Sequence, residues 1–404
     1  MNIWFINHYS LTPQEAGGTR HYSLASRLIE KDHQVTIIAA SYNHWTRQNN
    51  HCAPGSIDQA SVIDGIQFIW LRTPPYTANP ARVFNMLTFA WHLRFAGLLD
   101  TYGKPDVIIG SSPHLFAAYA AERLAAANHI PFVLEIRDLW PLSLMRLGNF
   151  SSRHPFIFIL GKLELYLYRR ARLIISLLPE ADAHFVNHGA PADRIVLLPN
   201  GTDLSFFPPP EKPVDKTFFS IYYAGTLGLA NGVQSMVDAA AILQQRGWGE
   251  KIRFFFLGEG PDKKALIRRC REENLQLVTF LDPVAKHDVQ KQLCQADAFI
   301  LTLKKSDLYR FGMSLNKLYD YLAMGRPIIF GGQTPHNPVA ETGAGFVVPA
   351  EDAQAMANAI VKLASLSGDE RWAMGQLGRK YIEKNHDISH LGDLLEKRLL
   401  DVLS

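Results

Sequence analysis

The alternation of apolar and polar positions divides the chain into two successive series of short strands and amphipathic helices. The first series opens with a strand at 3–7, a helix at 20–30 and a strand at 34–40, which together predict a βαβ unit. Four more apolar runs follow between helix-length stretches: PDVIIGSS, PFVLEIRD, ARLIISLL and RIVLLPNG. Because buried parallel strands read as nearly continuous apolar runs, this half predicts a doubly wound α/β domain.

A proline-rich, charged segment at 206–216 separates the two series. After it the same scheme restarts with FSIYYAG and KIRFFFLGEG and continues through LVTFLD, AFILTL, PIIFGG and GFVVPA. We therefore predict a Rossmann-like domain at 1–205, a linker at 206–216 and a second Rossmann-like domain at 217–380. A final helical segment at 381–404, with no strand after it, is expected to cross back and pack on the first domain.

Composition narrows the class of protein. With 404 residues, 47% of them hydrophobic and 20% charged, the chain is long enough for two hydrophobic cores. A net charge of +3 supplies no broad basic field, so nucleic acid is not an expected partner. The three cysteines, Cys52, Cys270 and Cys294, are too few and too dispersed for a disulfide framework, which favours the reducing cytoplasm. No run reaches the roughly 18 apolar residues of a membrane span, and no export signal is expected.

Glycine-containing turns follow three of the predicted strands. They contain Gly17 and Gly18, then Gly225 and Thr226, then Gly258. In open α/β sheets, ligands bind beyond the carboxyl ends of the strands, where glycine lets the backbone approach a diphosphate. Taken singly, each is an ordinary strand-to-helix connection, and none matches the GxGxxG fingerprint. Together they predict the edge at which a nucleotide would bind.

Lys317 and Asp320 lie three residues apart at the start of a predicted helix and so share a face. A cation beside a carboxylate suits the diphosphate and the ribose of a nucleotide. The alternative from spacing alone is an exposed intrahelical ion pair.

Several motifs occur in an order that resembles a known family. They are LEIRDLWP, LLPNGTDLSFF, YYAGTLGLANGV, FFFLGEGPDKKAL and NKLYDYLAMGRPII. The chain resembles family 4 of the retaining glycosyltransferases, which have the GT-B fold, and within it the bacterial branch that acts in O-antigen, capsule and exopolysaccharide assembly. The resemblance implies two Rossmann-like domains facing a cleft, with the donor held by the second domain and the acceptor by the first. It implies a nucleotide-sugar donor, UDP-sugar being expected, with no further cofactor.

The resemblance also implies roles for individual residues. Lys317 would meet the donor diphosphate, and Asp320 would stand where the family has a ribose-binding glutamate. Further residues expected near the donor are Gly17, Gly18, Gly225, Thr226, Gly258, Pro283, Val284, Arg310, Ser314, Asn316 and Leu318. No Asp-x-Asp cluster follows a strand, so we expect no metal ion and metal-independent transfer.

The chain departs from the family pattern in two places. Thr226 and Asn231 stand where many members carry an Arg and a Lys, and Gly312 stands where the first glutamate of a paired motif is expected. Fewer cations are then available to the phosphates, with Arg310 and Arg326 as possible helpers of Lys317. Asp307 lies close in sequence to Gly312, but the resemblance does not assign Asp307 the role of the glutamate.

On the acceptor side, Arg137 and Asp138 follow the strand FVLEI, and His114 follows PDVIIG. A carboxylate at Asp138 could orient an incoming hydroxyl or take its proton. Its alternative role is a helix cap before LWPLSL, and His114 is open to the same interpretation.

Two segments combine aromatic, aliphatic and basic residues: 147–173 and 82–99. As helices they have the character of segments that lie on an anionic membrane, although core or interdomain helices explain the same pattern. A membrane surface agrees with a polyprenyl-diphosphate-linked saccharide as acceptor, and predicts a cytoplasmic protein attached peripherally to the inner face of the plasma membrane.

The sequence therefore predicts a retaining sugar transfer in which Lys317 stabilises the departing diphosphate. Two rivals use the same architecture. One is a nucleotide-sugar 2-epimerase, and the other is a non-catalytic, glycosyltransferase-like subunit in which Thr226, Asn231 and Gly312 mark a decayed site.

Overall fold

A computed structural model describes residues 1–15, 17–44, 46–53, 55–77, 79–112, 114–212, 216–228 and 231–404. The chain forms two compact units. The first contains Met1–Thr12, Gly18–Asn200 and Ile388–Ser404, and the second contains Pro13–Gly17 and Gly201–Asp387. Each unit is built around one largely parallel sheet with helices packed on it, as the sequence predicts.

The first unit has an eight-stranded sheet in the order β3-β4-β2-β1-β5-β6-β7-β8. Its strands are β1 (Asn2–Ile6), β2 (Gln34–Ala40), β3 (Asp58–Ile63), β4 (Ile66–Leu71), β5 (Val107–Ser111), β6 (Phe132–Ile136), β7 (Leu173–Ser176) and β8 (Ile195–Leu197). All neighbours run parallel except β3 and β4, which form an antiparallel hairpin at the edge. The predicted strands of this half are present, and the β3–β4 hairpin was not predicted.

The second unit has a six-stranded parallel sheet in the order β11-β10-β9-β12-β13-β14. Its strands are β9 (Phe219–Ala224), β10 (Ile252–Leu257), β11 (Val278–Leu281), β12 (Ala298–Thr302), β13 (Ile328–Gly331) and β14 (Gly345–Val348). The order reverses between β9 and β12, so the carboxyl ends of β9, β10 and β12 meet at the switch point where such sheets bind ligands.

The helices cover the faces of both sheets. In chain order they are α1 (Arg20–Ile29), α2 (Asn79–Phe95), α3 (Leu98–Tyr102), α4 (Leu115–Ala127), α5 (Leu142–Leu147), α6 (Pro155–Arg170), α7 (Asp182–Asn187), α8 (Val233–Gln245), α9 (Lys263–Glu272), α10 (Lys286–Leu293), α11 (Asn316–Ala323), α12 (Pro338–Thr342), α13 (Ala353–Ala364), α14 (Gly368–Asn385) and α15 (Ile388–Leu403). The segment 147–173 is therefore not one helix, since α5 ends at Leu147 and α6 begins only at Pro155. Within the described ranges, no helix has both the length and the hydropathy needed to cross a bilayer.

The return of the C-terminal helix to the first unit is confirmed. Helix α15 packs on α1, where Arg27 and Lys31 form ion pairs of 3.0 and 2.9 Å with Asp393. Gly392 permits this approach, because a Cβ there would lie 2.5 Å from the side chain of Arg27. The return begins at Ile388, whereas the whole of α14 belongs to the second unit.

The segment after Asn200 packs on the second unit instead of spanning freely. The amide of Thr202 donates to the carbonyl of His386 at 3.0 Å, and the buried Phe207 lies in the second unit's core. Arg379 donates to the carbonyl oxygens of Phe207 and Ala323 at 2.7 and 2.8 Å. The predicted linker at 206–216 therefore begins within this packed segment, and its residues 213–215 lie outside the described residues.

Candidate active site

The turns after β9 and β10 touch each other at two glycines. Gly225 has φ +147° and Gly258 has φ +144°, and a Cβ on Gly258 would lie 2.1 Å from the carbonyl oxygen of Gly225. Side chains are therefore excluded where the two turns meet, and bare backbone lines the carboxyl edge of the sheet. The structure thus brings together Gly225, Thr226 and Gly258, as expected for a donor-binding edge.

Lys317 points from the first turn of α11 to the same edge. Its Nζ donates to the Tyr223 hydroxyl and to Oδ1 of Asn231, both at 2.7 Å, and lies 4.5 Å from the centre of the Tyr223 ring. The Tyr223 hydroxyl and the Asn231 amide in turn donate to the carbonyl of Thr226 at 2.8 and 3.0 Å. A Cβ on Gly225 would lie 2.9 Å from Nζ, so the ammonium directly adjoins the glycine turn.

The ammonium of Lys317 has no carboxylate partner within the described residues. The alternative of an exposed ion pair with Asp320 is therefore wrong. Desolvation lowers the pKa of Lys317 from 10.5 to about 7. The residue as a whole is half-buried, so a ligand from solvent can reach it. A desolvated cation without a counter-charge, beside bare backbone, is suited to receive an anion.

Asp320 lies one helical turn further along α11 and is held by two neighbours. Its Oδ1 accepts from the hydroxyl of Thr202 at 2.8 Å, and its Oδ2 accepts from Nζ of Lys286 at 2.6 Å. Tyr321 then fixes α11 to β9, since its hydroxyl accepts from the amide of Ala224 at 2.6 Å and donates to its carbonyl at 3.1 Å. The helix that carries Lys317 is thus anchored on both sides, and the role of Asp320 toward ribose stays a prediction.

Three residues expected beside Lys317 lie elsewhere. Leu318 is fully buried in the second unit's core, because a helix turns its next residue about 100° away from the edge. Arg326 precedes β13 and so lies at the amino edge of the sheet, where it donates to the carbonyl oxygens of Ala296 and Glu211. Arg310 is exposed and lies 3.7 Å from Asp307. Neither arginine joins Lys317 in this structure, and Leu318 cannot present its side chain to a ligand.

The remaining donor-side predictions occupy loops around this edge. Pro283 is exposed and Val284 half-buried in the loop after β11, and Ser314 and Asn316 are half-buried where α11 begins. Gly17 is grouped with the second unit and Gly18 with the first, while Ala16 between β1 and α1 lies outside the described residues.

Asp138 lies beyond β6 in the first unit and does not cap a helix. Helix α5 starts later, with Pro141 at its N-cap position. The Asp138 residue is exposed, although surrounding protein desolvates its carboxyl group enough to raise the pKa, against the attraction of Arg137. Burial lowers the pKa of Arg137, whose amide donates to Oγ of Ser112 at 3.0 Å.

His114 does cap a helix, which is the alternative that its position allowed. Its Nδ1 accepts from the amide of Ala117 at 3.3 Å at the start of α4, and its side chain is fully buried. Desolvation lowers its pKa to about 3, so the imidazole is neutral at physiological pH. Its Nε2 has no hydrogen-bond partner among the described residues.

Comparison with known proteins decides the family. Residues 16–201 match the family described as Glycosyl transferase 4-like domain, and residues 219–365 match Glycosyl transferases group 1. A D-inositol 3-phosphate glycosyltransferase of Pseudarthrobacter chlorophenolicus is 32% identical over 299 residues, which cover 71% of this chain and 69% of that protein. The chain belongs to the group 1 glycosyltransferases of family 4.

Further relatives and structures extend the likeness of this glycosyltransferase. A colanic acid biosynthesis glycosyl transferase of Escherichia coli is 23% identical over 350 residues, 80% of this chain and 82% of the relative. Sucrose-phosphate synthase from Thermosynechococcus elongatus matches with a TM-score of 0.78 over 100% of both chains at 17% identity. Anabaena HepE, in complex with UDP and glucose, matches with a TM-score of 0.70 over 98% of both at 15% identity. The predicted GT-B fold and family are therefore confirmed.

A buried ionic network of the glycosyltransferase was not predicted from sequence. Glu135 on β6 accepts from Nε of Arg20 at 2.9 Å, from Nε2 of His21 at 2.7 Å and from Oγ of Ser111 at 2.5 Å. Desolvation lowers the pKa of His21, and the charges of its neighbours hold the pKa of Glu135 well below its ordinary value despite burial. Arg20 also donates to the carbonyl of Leu198 at 2.9 Å. The network fixes the start of α1 to the middle of the first sheet.

One group of the glycosyltransferase's side chains has the composition of a metal site. Glu164 on α6 approaches His184 and His188 at α7, with candidate ligand atoms within 4.8 Å of one another. Oε1 of Glu164 already accepts from Nε2 of His184 at 2.9 Å and from the hydroxyl of Tyr168 at 3.0 Å. These hydrogen bonds explain the group as a structural link between α6 and α7. Metal-independent transfer stays a prediction.

Proposed function

We propose that this glycosyltransferase moves a hexosyl or N-acetylhexosaminyl group from a UDP-sugar to a polyprenyl-diphosphate-linked saccharide, with retention at the anomeric carbon, during assembly of a bacterial surface polysaccharide. The assignment of a UDP-sugar donor is supported by the ammonium of Lys317. This ammonium is desolvated, lacks a carboxylate partner in the described chain and adjoins the Gly225 turn. The named role of the Escherichia coli relative in colanic acid biosynthesis supports the pathway.

The chemistry follows from where charge grows. As the bond between the anomeric carbon and the diphosphate oxygen breaks, negative charge increases on the leaving phosphate. The acceptor hydroxyl attacks the same face of the sugar, and its proton passes to the departing phosphate oxygen. Lys317 opposes the growing charge, while Tyr223 and Asn231 hold its ammonium in place before the reaction begins. No side chain of the protein needs to form a covalent intermediate.

An apolar face on the first unit supports a membrane-bound acceptor. Four large side chains of α2 are exposed at helical spacing: Phe84 (63%), Leu87 (45%), Trp91 (63%) and Phe95 (59%). Helix α6, which like α2 packs on α4, exposes Phe158 and Ile159. Exposed aromatic side chains on two helices that pack on the same third helix are typical of a surface that enters the lipid headgroup region.

Basic side chains accompany this apolar face. Nζ of Lys162 lies 5.4 Å from the ring centre of Phe158, and the guanidinium of Arg94 lies 5.2 Å from that of Phe95. Cations beside exposed aromatics favour anionic lipid over a protein partner, since each basic residue near such a surface contributes about 1 kcal/mol. The proposal places the enzyme in the cytoplasm, at the inner face of the plasma membrane.

Vesicle sedimentation tests the membrane proposal. The full chain should pellet with phosphatidylglycerol vesicles at low salt, and Trp91→Glu combined with Phe158→Glu should abolish this. Val62→Glu changes an exposed apolar residue on β3 and is the matched control. Binding that survives the double substitution, or that needs no anionic lipid, would refute the assignment.

A thermal-shift screen of nucleotide sugars tests the donor proposal. A UDP-sugar should raise the melting temperature of the wild type, and Lys317→Met should remove that shift. Transfer should continue in chelator. Absence of any nucleotide-sugar shift would favour a non-catalytic subunit, and conversion of donor alone into an epimer would favour the epimerase.

A further inference from the structure

Three histidines from different parts of the chain converge at the carboxyl edge of the first sheet. His8 follows β1, His44 follows β2 and His114 follows β5, and these strands are neighbours in the sheet. The rings of His8 and His114 lie 4.7 Å apart between centres. Tyr9 joins them, with ring centres 5.9 Å from His114 and 5.6 Å from His44.

Arg82 at the start of α2 brings a positive charge to this group. Its Nε and Nη2 both donate to the hydroxyl of Tyr9 at 3.3 Å, and its guanidinium lies 5.7 Å from the Tyr9 ring centre. Within the described chain, no carboxylate forms an ion pair with Arg82. A half-buried guanidinium that, among the described residues, donates to no acceptor except a phenol keeps most of its charge uncompensated.

The histidines add hydrogen-bond donors without adding charge. Desolvation, together with the positive charge of Arg82, lowers the pKa of His44 to about 4 and that of His114 to about 3. Because Nδ1 of His114 accepts from a backbone amide, its proton resides on Nε2, which is buried and has no acceptor in the described part of the chain.

His8 is the least satisfied member. It is 2% exposed, and neither ring nitrogen has a partner of acceptable hydrogen-bond geometry among the described residues. Asn85 on α2 lies alongside, and its Oδ1 also lacks a partner. Buried polar groups in native proteins are nearly always paired, so the unpaired imidazole nitrogens of His8 and His114 indicate a ligand that accepts from them. Oδ1 of Asn85 is itself an acceptor and is directed to His8, not to such a ligand.

We propose that this histidine–arginine cluster (His8, Tyr9, His44, Arg82 and His114) binds a phosphoryl group of the acceptor substrate. The inference rests on the proposed glycosyltransferase function, since the acceptor is expected in the first unit. A phosphoryl group presents several acceptor oxygens and a full negative charge, which matches one guanidinium fork with neighbouring imidazole N–H donors. A neutral sugar would leave the charge of Arg82 without a partner.

The phosphoryl group can come from two sources with the same chemistry. One is a soluble sugar phosphate, and the other is the diphosphate of a lipid-linked saccharide. In either case Arg82 determines acceptor affinity and does not take part in bond breaking, so its replacement should affect binding of the acceptor and leave binding of the donor nucleotide intact.

Calorimetry on the full chain, with UDP present in saturating amount to fill the donor site, tests the proposal. The probes are N-acetylglucosamine 1-phosphate, farnesyl-diphosphate-linked N-acetylglucosamine in mild detergent, unphosphorylated N-acetylglucosamine and glucuronate. Arg82→Gln should weaken the phosphorylated probes about 10- to 100-fold, the range expected for a charged hydrogen bond to an anion. Which of the two phosphorylated probes binds more tightly identifies the source.

Two further variants keep the test decisive. Arg82→Lys retains the charge but not the fork, so it should give an intermediate loss and serves if Arg82→Gln is poorly folded. Arg194→Gln removes an arginine at the amino edge of the same sheet, where it donates to the carbonyl of Ala171, and should bind every probe as the wild type does.

The outcomes separate this inference from the function on which it rests. If UDP binds but no phosphorylated probe does, or if Arg82→Gln binds them as tightly as the wild type, the inference is wrong while the donor assignment stands. Arg82-dependent binding of glucuronate in place of the phosphorylated probes would overturn the phosphoryl class. If UDP and all nucleotide sugars fail to bind, the proposed function itself fails.

Discussion

Donor binding should be linked to the uptake of a proton by Lys317. In the free protein, desolvation lowers the pKa of this ammonium from 10.5 to about 7. A bound diphosphate would return the pKa toward its ordinary value, because two phosphate charges beside Nζ favour the protonated form. The diphosphate of a nucleotide sugar does not itself exchange a proton near neutral pH, so any uptake reports on the protein.

The magnitude follows from the pKa. With a free-state value of about 7 and a bound-state value above 9, about half a proton is taken up at pH 7 and about 0.9 at pH 8. Donor affinity should then fall about 25- to 50-fold between pH 7 and pH 9, for bound-state values from 9 to 10.5. Stability of the free protein changes in the opposite sense, since the unfolded chain binds more protons than the folded one between pH 7 and 10.5. The free energy of unfolding therefore rises with pH across that window. The full shift of the pKa from 10.5 to about 7 corresponds to about 5 kcal/mol, and contact of the half-buried Lys317 with solvent makes the actual rise smaller.

Isothermal titration calorimetry in HEPES and in Tris, which differ in ionisation enthalpy, measures the uptake directly. UDP-glucose is the first ligand to use, to be replaced by whichever nucleotide sugar the thermal-shift screen selects. Lys317→Met should bind donor weakly with no proton uptake and should lose the rise of stability with pH. Equal heats in both buffers at pH 8 for the wild type, or unchanged uptake in Lys317→Met, would refute the reasoning.

Two substitutions test the framework around the sites. Glu135→Gln removes the charge that compensates the buried Arg20 and should lower the free energy of unfolding by about 3–5 kcal/mol; a loss below about 1 kcal/mol in urea denaturation would contradict this account. Gly258→Ala places a methyl group 2.1 Å from the carbonyl oxygen of Gly225 and should abolish the donor-induced thermal shift. Gly368→Ala, at a position where a Cβ meets no atom within 4 Å, is the control and should keep that shift.

The sequence predicts the strands of both sheets well where they are buried on both faces, because those strands are continuous apolar runs. It misses β3 because this strand lies at the sheet edge, where Val62 is 72% exposed and alternation is weak. Edge strands receive packing from one neighbour only, so their side chains carry little of the periodic signal. It also misses β4, although this inner strand is the buried apolar run IQFIWL and so carries the same signal as the strands that were predicted.

The site is predictable only in part. The helix that carries Lys317 is evident from the motif, but the groups that hold its ammonium, Tyr223 and Asn231, are 94 and 86 residues away in sequence. The low pKa comes from desolvation in the folded chain, which the motif does not show. Likewise, the partners of Glu135 are brought to it by strand order and not by spacing. Arg326 is close in sequence to the Lys317 motif, which suggested a phosphate contact. Because it precedes β13, however, it lies at the amino edge of the sheet, opposite the edge where Lys317 lies.

The return of α15 to the first unit has a consequence for synthesis. Helix α1 is covered by residues that are translated more than 360 positions after it, as the separations of Arg27 from Asp393 and of Lys31 from Glu396 show. The second unit, which contains Pro13–Gly17 and Gly201–Asp387, is fully translated once Asp387 has been added. A nascent chain halted before Ile388 would thus contain every residue of the second unit but an incomplete first unit, in which α1 lacks its cover.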